Sequence, residues 1–267
     1  MDDNNEGSFW DHAEVLRRLI IRALALVMGL SVVCFAVMPQ LFDKVILAPC
    51  RPDFPLYRLI TRIDPSGELT LGHTVNLINL ELSAQFMTHM SLSLWMAVII
   101  AFPVLTVMVW RFVAPGLYPN ERHNASALIA ASVIMFYVGV ALGYFLIFPL
   151  ALRFLADYQL SALIPNHLSL QSYMDNFFMM VLVMGLVCQL PVVACMLGRM
   201  GLITRRHLHH YRRHAIVALL VLAAVITPTG DPMTLAVVFV PLYLLLELSA
   251  IGLPASPKES SQIHPEK

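Results

Sequence analysis

The residues that could carry chemistry in this chain are isolated acids and amides near the ends of long apolar segments. Glu14 precedes the first apolar segment, and on a helix it would share a face with Arg17 and Arg18. Such spacing is typical either of a local salt bridge or of a carboxylate that accepts a bidentate guanidinium from another chain. Glu121 lies in a short loop whose shape is set by prolines and a glycine, which suits a solvated acid or a recognition loop.

Further polar groups lie within or beside the later apolar segments. Gln189 is an amide about halfway along one of them, where such groups bond neighbouring helices or face a wet cavity, and both alternatives stand. Asp231 follows Thr227 in a proline- and glycine-rich turn, and we expect it to be a helix N-cap with Pro232 at the first helical position. We expect Glu247, near the end of the last apolar segment, to reach for water.

The sequence contains no recognisable catalytic or cofactor motif. There is no nucleophile–base pair, glycine-rich phosphate loop, zinc-protease signature or His–carboxylate cluster. A basic stretch with His207, His209, His210 and His214 could hold a metal, but a solvated interfacial face is the favoured interpretation. We therefore expect neither an enzyme nor a bound cofactor or metal. A net charge of zero favours neither a nucleic-acid partner nor an acidic one, and we expect no nucleic-acid partner.

Composition assigns the chain to the polytopic membrane proteins. Hydrophobic residues make up 58% of it and charged residues 13%. Residues 86–110 contain no charged side chain, and a helix of that length would cover roughly 37 Å, enough for a hydrocarbon core of about 30 Å. Backbone groups in lipid must bond within their own segment, so we expect an all-α bundle. Six apolar segments are predicted, at residues 19–38, 86–110, 125–150, 176–197, 215–227 and 232–253.

Several details predict the shape and orientation of this bundle. Pro103, Pro149, Pro191 and Pro241 lie in or beside apolar segments, which predicts kinked helices and a concave bundle. The last two segments are too short for an ordinary bilayer core, so they thin the membrane or are sheltered by neighbours; a tilted pair without a special role is the alternative.

The distribution of charge predicts how the chain is oriented and divided. Lys and Arg number twelve on one side of the predicted segments and five on the other, which places both termini in the cytoplasm. We expect three parts: a cytoplasmic N-terminal segment with a short amphipathic helix (1–18), the membrane domain (19–253) and a disordered cytoplasmic tail (254–267).

A set of motifs ordered along about 240 residues resembles the TatC family, the receptor subunit of the twin-arginine protein translocase. The Trp110–Arg122 loop, with its Phe-x-Ala-Pro-x-Leu-Tyr-x-x-Glu-Arg pattern, is the most specific. Gln189 stands where many members carry Glu, His12 is one residue closer to Glu14 than expected, and the loop 52–72 is long. The other matching motifs are Glu14-Val-Leu-Arg-Arg-Leu, Ala48-Pro49, Phe136-Tyr137, Phe148-Pro149, Gln189-Leu-Pro191, Ile226-Thr-Pro-Thr-Gly-Asp-Pro232 and Pro241-Leu-Tyr-Leu-Leu-Leu-Glu247.

The resemblance implies a receptor that binds twin-arginine signal peptides of folded cargo and forms the core of a proton-motive-force-driven translocase in the cytoplasmic (inner) membrane. Glu14 and Glu121 match the acidic signal-binding positions, with Arg17 and Phe112 beside them. Expected partners are single-span TatA/TatB-like subunits, further copies of the chain and the lipid bilayer; the partner-contact candidates are Gln189, Thr227 and Asp231.

Two other classes of function are less consistent with the sequence. A secondary transporter of a small solute or ion is the alternative, but the carboxylates lie at segment ends and the two halves show no repeat. An intramembrane enzyme is disfavoured because the sequence shows no activated nucleophile and no set of metal ligands.

Overall fold

The computed structural model describes residues 3–63, 74–113, 125–158, 161, 166–199, 211–227 and 231–252. Their regular structure is helical except for one parallel pair of two-residue strands, which confirms the all-α prediction. The elements are α1 Asp3–Leu41, α2 Pro55–Ile63, β1 Leu77–Ile78, α3 Ala84–Val113, α4 Ala125–Leu142, α5 Phe148–Asp157, β2 Leu168–Ser169, α6 Leu170–Val187, α7 Leu190–Arg199, α8 Arg212–Ile226 and α9 Pro232–Gly252. A π-helical turn, Gly143–Ile147, joins α4 to α5.

The first two apolar segments form an antiparallel helix pair. The Phe35 ring of α1 stacks on the His89 imidazole of α3 with centroids 3.9 Å apart, and His89 Nε2 lies 2.9 Å from the Phe35 carbonyl oxygen. Because α1 runs unbroken from Asp3 to Leu41, it crosses the predicted boundary at residue 18 as one helix. Many of its large apolar side chains are exposed, as expected of a surface that contacts lipid.

The third and fourth segments change helical geometry at prolines, as the sequence predicted. Pro149 lies in the first turn of α5, directly after the π-helical turn. Pro191 lies in the first turn of α7, after a break at Cys188 and Gln189. Proline removes a backbone donor, so a helix that contains it changes geometry nearby. Pro103 and Pro241 lie instead inside the continuous helices α3 and α9.

Glycines let α4 and α6 approach closely. A Cβ on Gly139 would lie 2.6 Å from the Met184 carbonyl oxygen, and one on Gly143 would lie 2.8 Å from the Val181 Cα. The two glycines are four residues apart, the Gly-x-x-x-Gly spacing that brings helix backbones together in membranes. Facing them, Gly185 of α6 approaches the Phe136 ring. Helix α6 therefore contributes much of the buried core.

On one side of the bundle, which we call the capped side, the chain between α1 and α3 covers the helix ends. Three buried or half-buried tyrosine hydroxyls hold this cap by donating to backbone carbonyls. The bonds run from Tyr57 to Pro49 (2.9 Å) and Pro149 (3.3 Å), from Tyr144 to Val45 (2.7 Å) and from Tyr173 to Ile46 (2.5 Å).

Of the last two helices, α8 is short, as predicted, but α9 is not: its 21 residues cover about 31 Å at helical rise, enough for an ordinary bilayer core. Within the described residues, four helical stretches are long and apolar enough to cross a membrane, and Pro232–Leu248 forms a shorter apolar helix. Helix α8 has only 15 residues, or about 22 Å at helical rise. The chain is thus a multi-pass membrane protein, and the count of six spans stays a prediction for α8 and α9.

Candidate functional site

Glu14 is an exposed acid on α1 with a local partner. Arg18 Nη2 donates to Glu14 Oε1 at 2.5 Å, and 56% of the Glu14 side chain remains exposed. The predicted local salt bridge is therefore present. A carboxylate offers about four acceptor positions, so this bond leaves capacity for a second guanidinium. Arg17, one residue before Arg18, is also exposed.

The helix register places Glu14 level with the end of α3. Phe35 contacts His89, and both Glu14 and Trp110 lie 21 residues away from that contact, in the same direction along the antiparallel pair. Half-buried Phe112 follows two residues later. Glu14, Arg17 and Phe112 therefore lie at the same end of the bundle, opposite the capped side.

Glu121 lies outside the described residues, but the chain around it begins and ends at this same end. The Tyr137 hydroxyl of α4 donates to the Ile99 carbonyl of α3 at 3.1 Å. Twelve residues before Tyr137 is Ala125, where α4 begins, and twelve residues after Ile99 is Arg111, in the last turn of α3. Residues 114–124 therefore connect two helix ends that are level with Glu14.

Trp110 is a residue of this end whose role the sequence did not indicate. It is half-buried, and among the described residues its indole Nε1 is buried without a hydrogen-bond partner. A buried indole N–H usually finds an acceptor. Its position in the sequence, at the polar end of an otherwise apolar helix, could have indicated such a role.

Gln189 bonds two helices together. The Ser132 hydroxyl of α4 donates to Gln189 Oε1 at 2.6 Å, and Gln189 Nε2 donates to the Ser132 carbonyl at 3.0 Å. Both the oxygen and the nitrogen of the Gln189 amide are therefore hydrogen-bonded within the bundle. Of the two alternatives that the sequence left open, this arrangement is the one in which the amide bonds neighbouring helices. The break between α6 and α7 places this side chain toward α4.

The turn between the last two helices is held by its own side chains. Asp231 Oδ2 accepts a hydrogen bond from the Thr234 backbone N–H at 2.7 Å, which confirms the predicted N-cap with Pro232 at the first position of α9. Thr227 is 2% exposed and its hydroxyl donates to the Ala223 carbonyl at 3.1 Å. A partner could therefore reach Asp231 more readily than the Thr227 side chain.

Glu247 is 40% exposed and so reaches water in part, but it also has partners that the sequence did not indicate. Arg212, at the start of α8, donates to both the Glu247 carboxylate and the Tyr243 hydroxyl of α9. The hydrogen bond to Tyr243 and the charge of Glu247 raise the pKa of Arg212, which precedes the apolar part of α8 and stays protonated. Because α8 and α9 are antiparallel, their polar ends meet, and that geometry could have indicated the pair.

The described residues contain no group of three or more His, Cys, Asp or Glu side chains placed to hold a metal ion. Of the predicted histidine-rich stretch, His207, His209 and His210 lie outside the described residues, and His214 is exposed on α8.

These features define a multi-pass α-helical membrane protein with an exposed acid, Glu14, toward one end of the bundle, and with Gln189 and Glu247 bonded to neighbouring helices. The family model for the Sec-independent protein translocase protein TatC matches residues 11–241. The chain therefore belongs to the TatC family and is a protein translocase subunit.

Relatives and solved structures agree with this assignment. The TatC protein of Deinococcus radiodurans is 33% identical over 243 residues, which cover 91% of this chain and 84% of the relative. That of Aquifex aeolicus is 31% identical over 241 residues, covering 90% and 91%. A crystal structure of the twin-arginine translocase receptor TatC in DDM has a TM-score of 0.73 and 28% identity, covering 90% of this chain and 98% of that one.

Proposed function

We propose that this protein is the receptor for twin-arginine signal peptides and the core of a translocase that exports folded proteins, driven by the proton motive force. The observation that carries the proposal is the exposed Glu14 carboxylate, level with Phe112 and with the two helix ends between which Glu121 lies in the sequence. The name of the solved structure, a twin-arginine translocase receptor, supports it.

Recognition of two consecutive arginines follows from the chemistry of the two acids. A guanidinium is planar and binds a carboxylate through two parallel hydrogen bonds, whereas a lysine ammonium keeps the charge without this geometry. Glu14 would exchange its bond to Arg18 for the incoming guanidinium. That exchange costs little, because an exposed pair four residues apart on a helix contributes only about 0.3–0.5 kcal/mol.

The apolar part of the signal peptide would extend from this site along the helices. Trp110 and Phe112 lie level with Glu14 and are half-buried, so they would contact an apolar segment that begins at that acid. Arg17 and Arg18 would repel an arginine pair that approached in another register, so they help to orient it.

The assembly and orientation proposed here come from the family resemblance and from charge. Single-span TatA/TatB-like subunits and further copies of the chain would pack against the bundle, near Gln189 and the turn with Thr227 and Asp231. Both termini would lie in the cytoplasm, with the protein in the cytoplasmic (inner) membrane and the capped side facing outward. No covalent catalysis is involved.

Site-specific photocrosslinking tests this proposal. A photoreactive residue at position 14, 112 or 121 should crosslink a twin-arginine peptide, and one at position 81, an exposed site on the capped side, should not. Equal crosslinking from positions 14 and 81 would contradict it. A reconstituted protein that moved a labelled small solute without partners would favour the transporter alternative.

A further inference from the structure

A groove runs along the outside of the bundle between α9 and the α4–α5 stretch. Its outer part, toward the capped side, is a cavity of about 440 Å³, and its inner part is a cavity of about 520 Å³. Leu150 and Val237 line both cavities, so the two are continuous. Val240 and Leu244 on the α9 wall are 57% and 62% exposed, so the groove opens laterally.

One wall of the groove changes from apolar to charged along a single helix face. Leu142, Leu146 and Leu150 follow one another four residues apart, and Arg153 and Asp157 continue the same face. From Leu142 to Arg153 is 11 residues, or at most about 16 Å at α-helical rise, because the π-helical turn lies within this stretch. That length matches the depth of hydrocarbon in one leaflet, about 15 Å.

The charged end of the groove is built into the protein. Arg153 is 3% exposed, and its guanidinium carbon lies 4.5 Å from the centre of the Tyr57 ring, which holds it in place through a cation–π contact. Across the cavity, Thr234 is 1% exposed, and its hydroxyl has no hydrogen-bond partner among the described residues. Asp157 is exposed at the mouth.

We propose that this groove binds one phospholipid whose headgroup carries both a phosphate and a primary ammonium. The phosphate accepts hydrogen bonds from the Arg153 guanidinium and the Thr234 hydroxyl, and the ammonium lies near the Asp157 carboxylate. One acyl chain extends along Leu150 and Leu146 toward the bilayer centre.

The charges at the mouth select this headgroup over others. The negative charge of the Asp157 carboxylate repels an anionic headgroup without an ammonium, whereas a primary ammonium offsets that repulsion. A quaternary ammonium has no N–H group and cannot donate a hydrogen bond to that carboxylate. Arginine binds phosphate through two parallel hydrogen bonds, which fixes the position of the headgroup.

Native mass spectrometry of the full-length protein in detergent, titrated with one lipid at a time, tests the proposal. Palmitoyl-oleoyl phosphatidylethanolamine should be retained at one copy, and phosphatidylglycerol and phosphatidylcholine of the same chains should bind several-fold more weakly. Arg153→Gln should weaken retention about tenfold or more, because it removes a charge-assisted contact. Arg58→Gln is the control, since Arg58 is an exposed arginine of the same cap that pairs with Asp53 and does not line the groove.

A second pair of variants keeps the test valid if the buried Arg153 is needed for folding. Val240→Trp would fill the inner part of the groove from an exposed position, and Val221→Trp on α8 is a control with 58% exposure that lies outside the groove. Only Val240→Trp should release the lipid. Retention unchanged by Val240→Trp, equal binding of all three lipids, or a single-span subunit in the groove in place of lipid would overturn the proposal.

Discussion

The close contact between α4 and α6 depends on Gly139 having no side chain. In Gly139→Ala, the new Cβ would lie 2.6 Å from the Met184 carbonyl oxygen and 2.8 Å from the Cys188 Cβ. Backbone cannot move aside as a flexible side chain can, so the helices must separate by roughly 0.8 Å to restore ordinary contact near 3.4 Å. Overpacking of this kind costs about 1–3 kcal/mol. We therefore expect a lower free energy of unfolding.

Gly29→Ala provides a matched control for that substitution. Gly29 lies inside α1, and a Cβ added there would meet nothing within 4 Å. Its replacement should leave stability unchanged or raise it by up to about 1 kcal/mol, because alanine favours the helix. Thermal unfolding of the detergent-solubilised protein, followed by its loss from the monodisperse gel-filtration peak, compares the two. Equal midpoints for Gly139→Ala and Gly29→Ala would refute this account of the packing.

Three further predictions concern polar contacts that link the helices. Glu247→Gln should lower the free energy of unfolding by less than about 1 kcal/mol, since its partner Arg212 is also partly exposed; a coupling energy above that range in a double-mutant cycle would contradict this. Ser132→Ala removes the donor to Gln189 Oε1 and should cost about 1 kcal/mol, with no added cost when Gln189→Leu is also present. Tyr57→Phe leaves one cap carbonyl, of Pro49, and one α5 carbonyl, of Pro149, without this donor, and should lower the unfolding temperature and speed proteolysis of the cap; unchanged cleavage would count against the cap.

The elements that could be predicted from the sequence are those set by local rules. Long runs without charge predict the apolar helices. Proline predicts the changes of helical geometry next to Pro149 and Pro191, and the Asp231–Pro232 pair predicts where α9 begins. These depend on backbone geometry and on solvation, which neighbouring residues determine.

The elements that could not be predicted depend on contacts between distant parts of the chain. Arg212 and Glu247 are 35 residues apart, and Ser132 and Gln189 are 57 apart. Nothing in the local pattern indicates which of several polar groups will meet, because that follows from how the helices pack. The position of Glu14 level with Trp110 likewise follows only from the register of α1 on α3.

The affinity for a twin-arginine peptide tests the central claim most directly. Glu14→Gln and Glu121→Gln should each weaken binding of a fluorescent peptide by about tenfold or more, since a charge-assisted contact contributes about 1.5–3 kcal/mol. Glu121→Gln should lose less for a twin-lysine peptide than for a twin-arginine one, because only guanidinium loses the two-bond geometry. Glu81→Gln, an exposed acid near the capped side, should bind normally. Undiminished binding by the two acid variants at positions 14 and 121 would contradict the account.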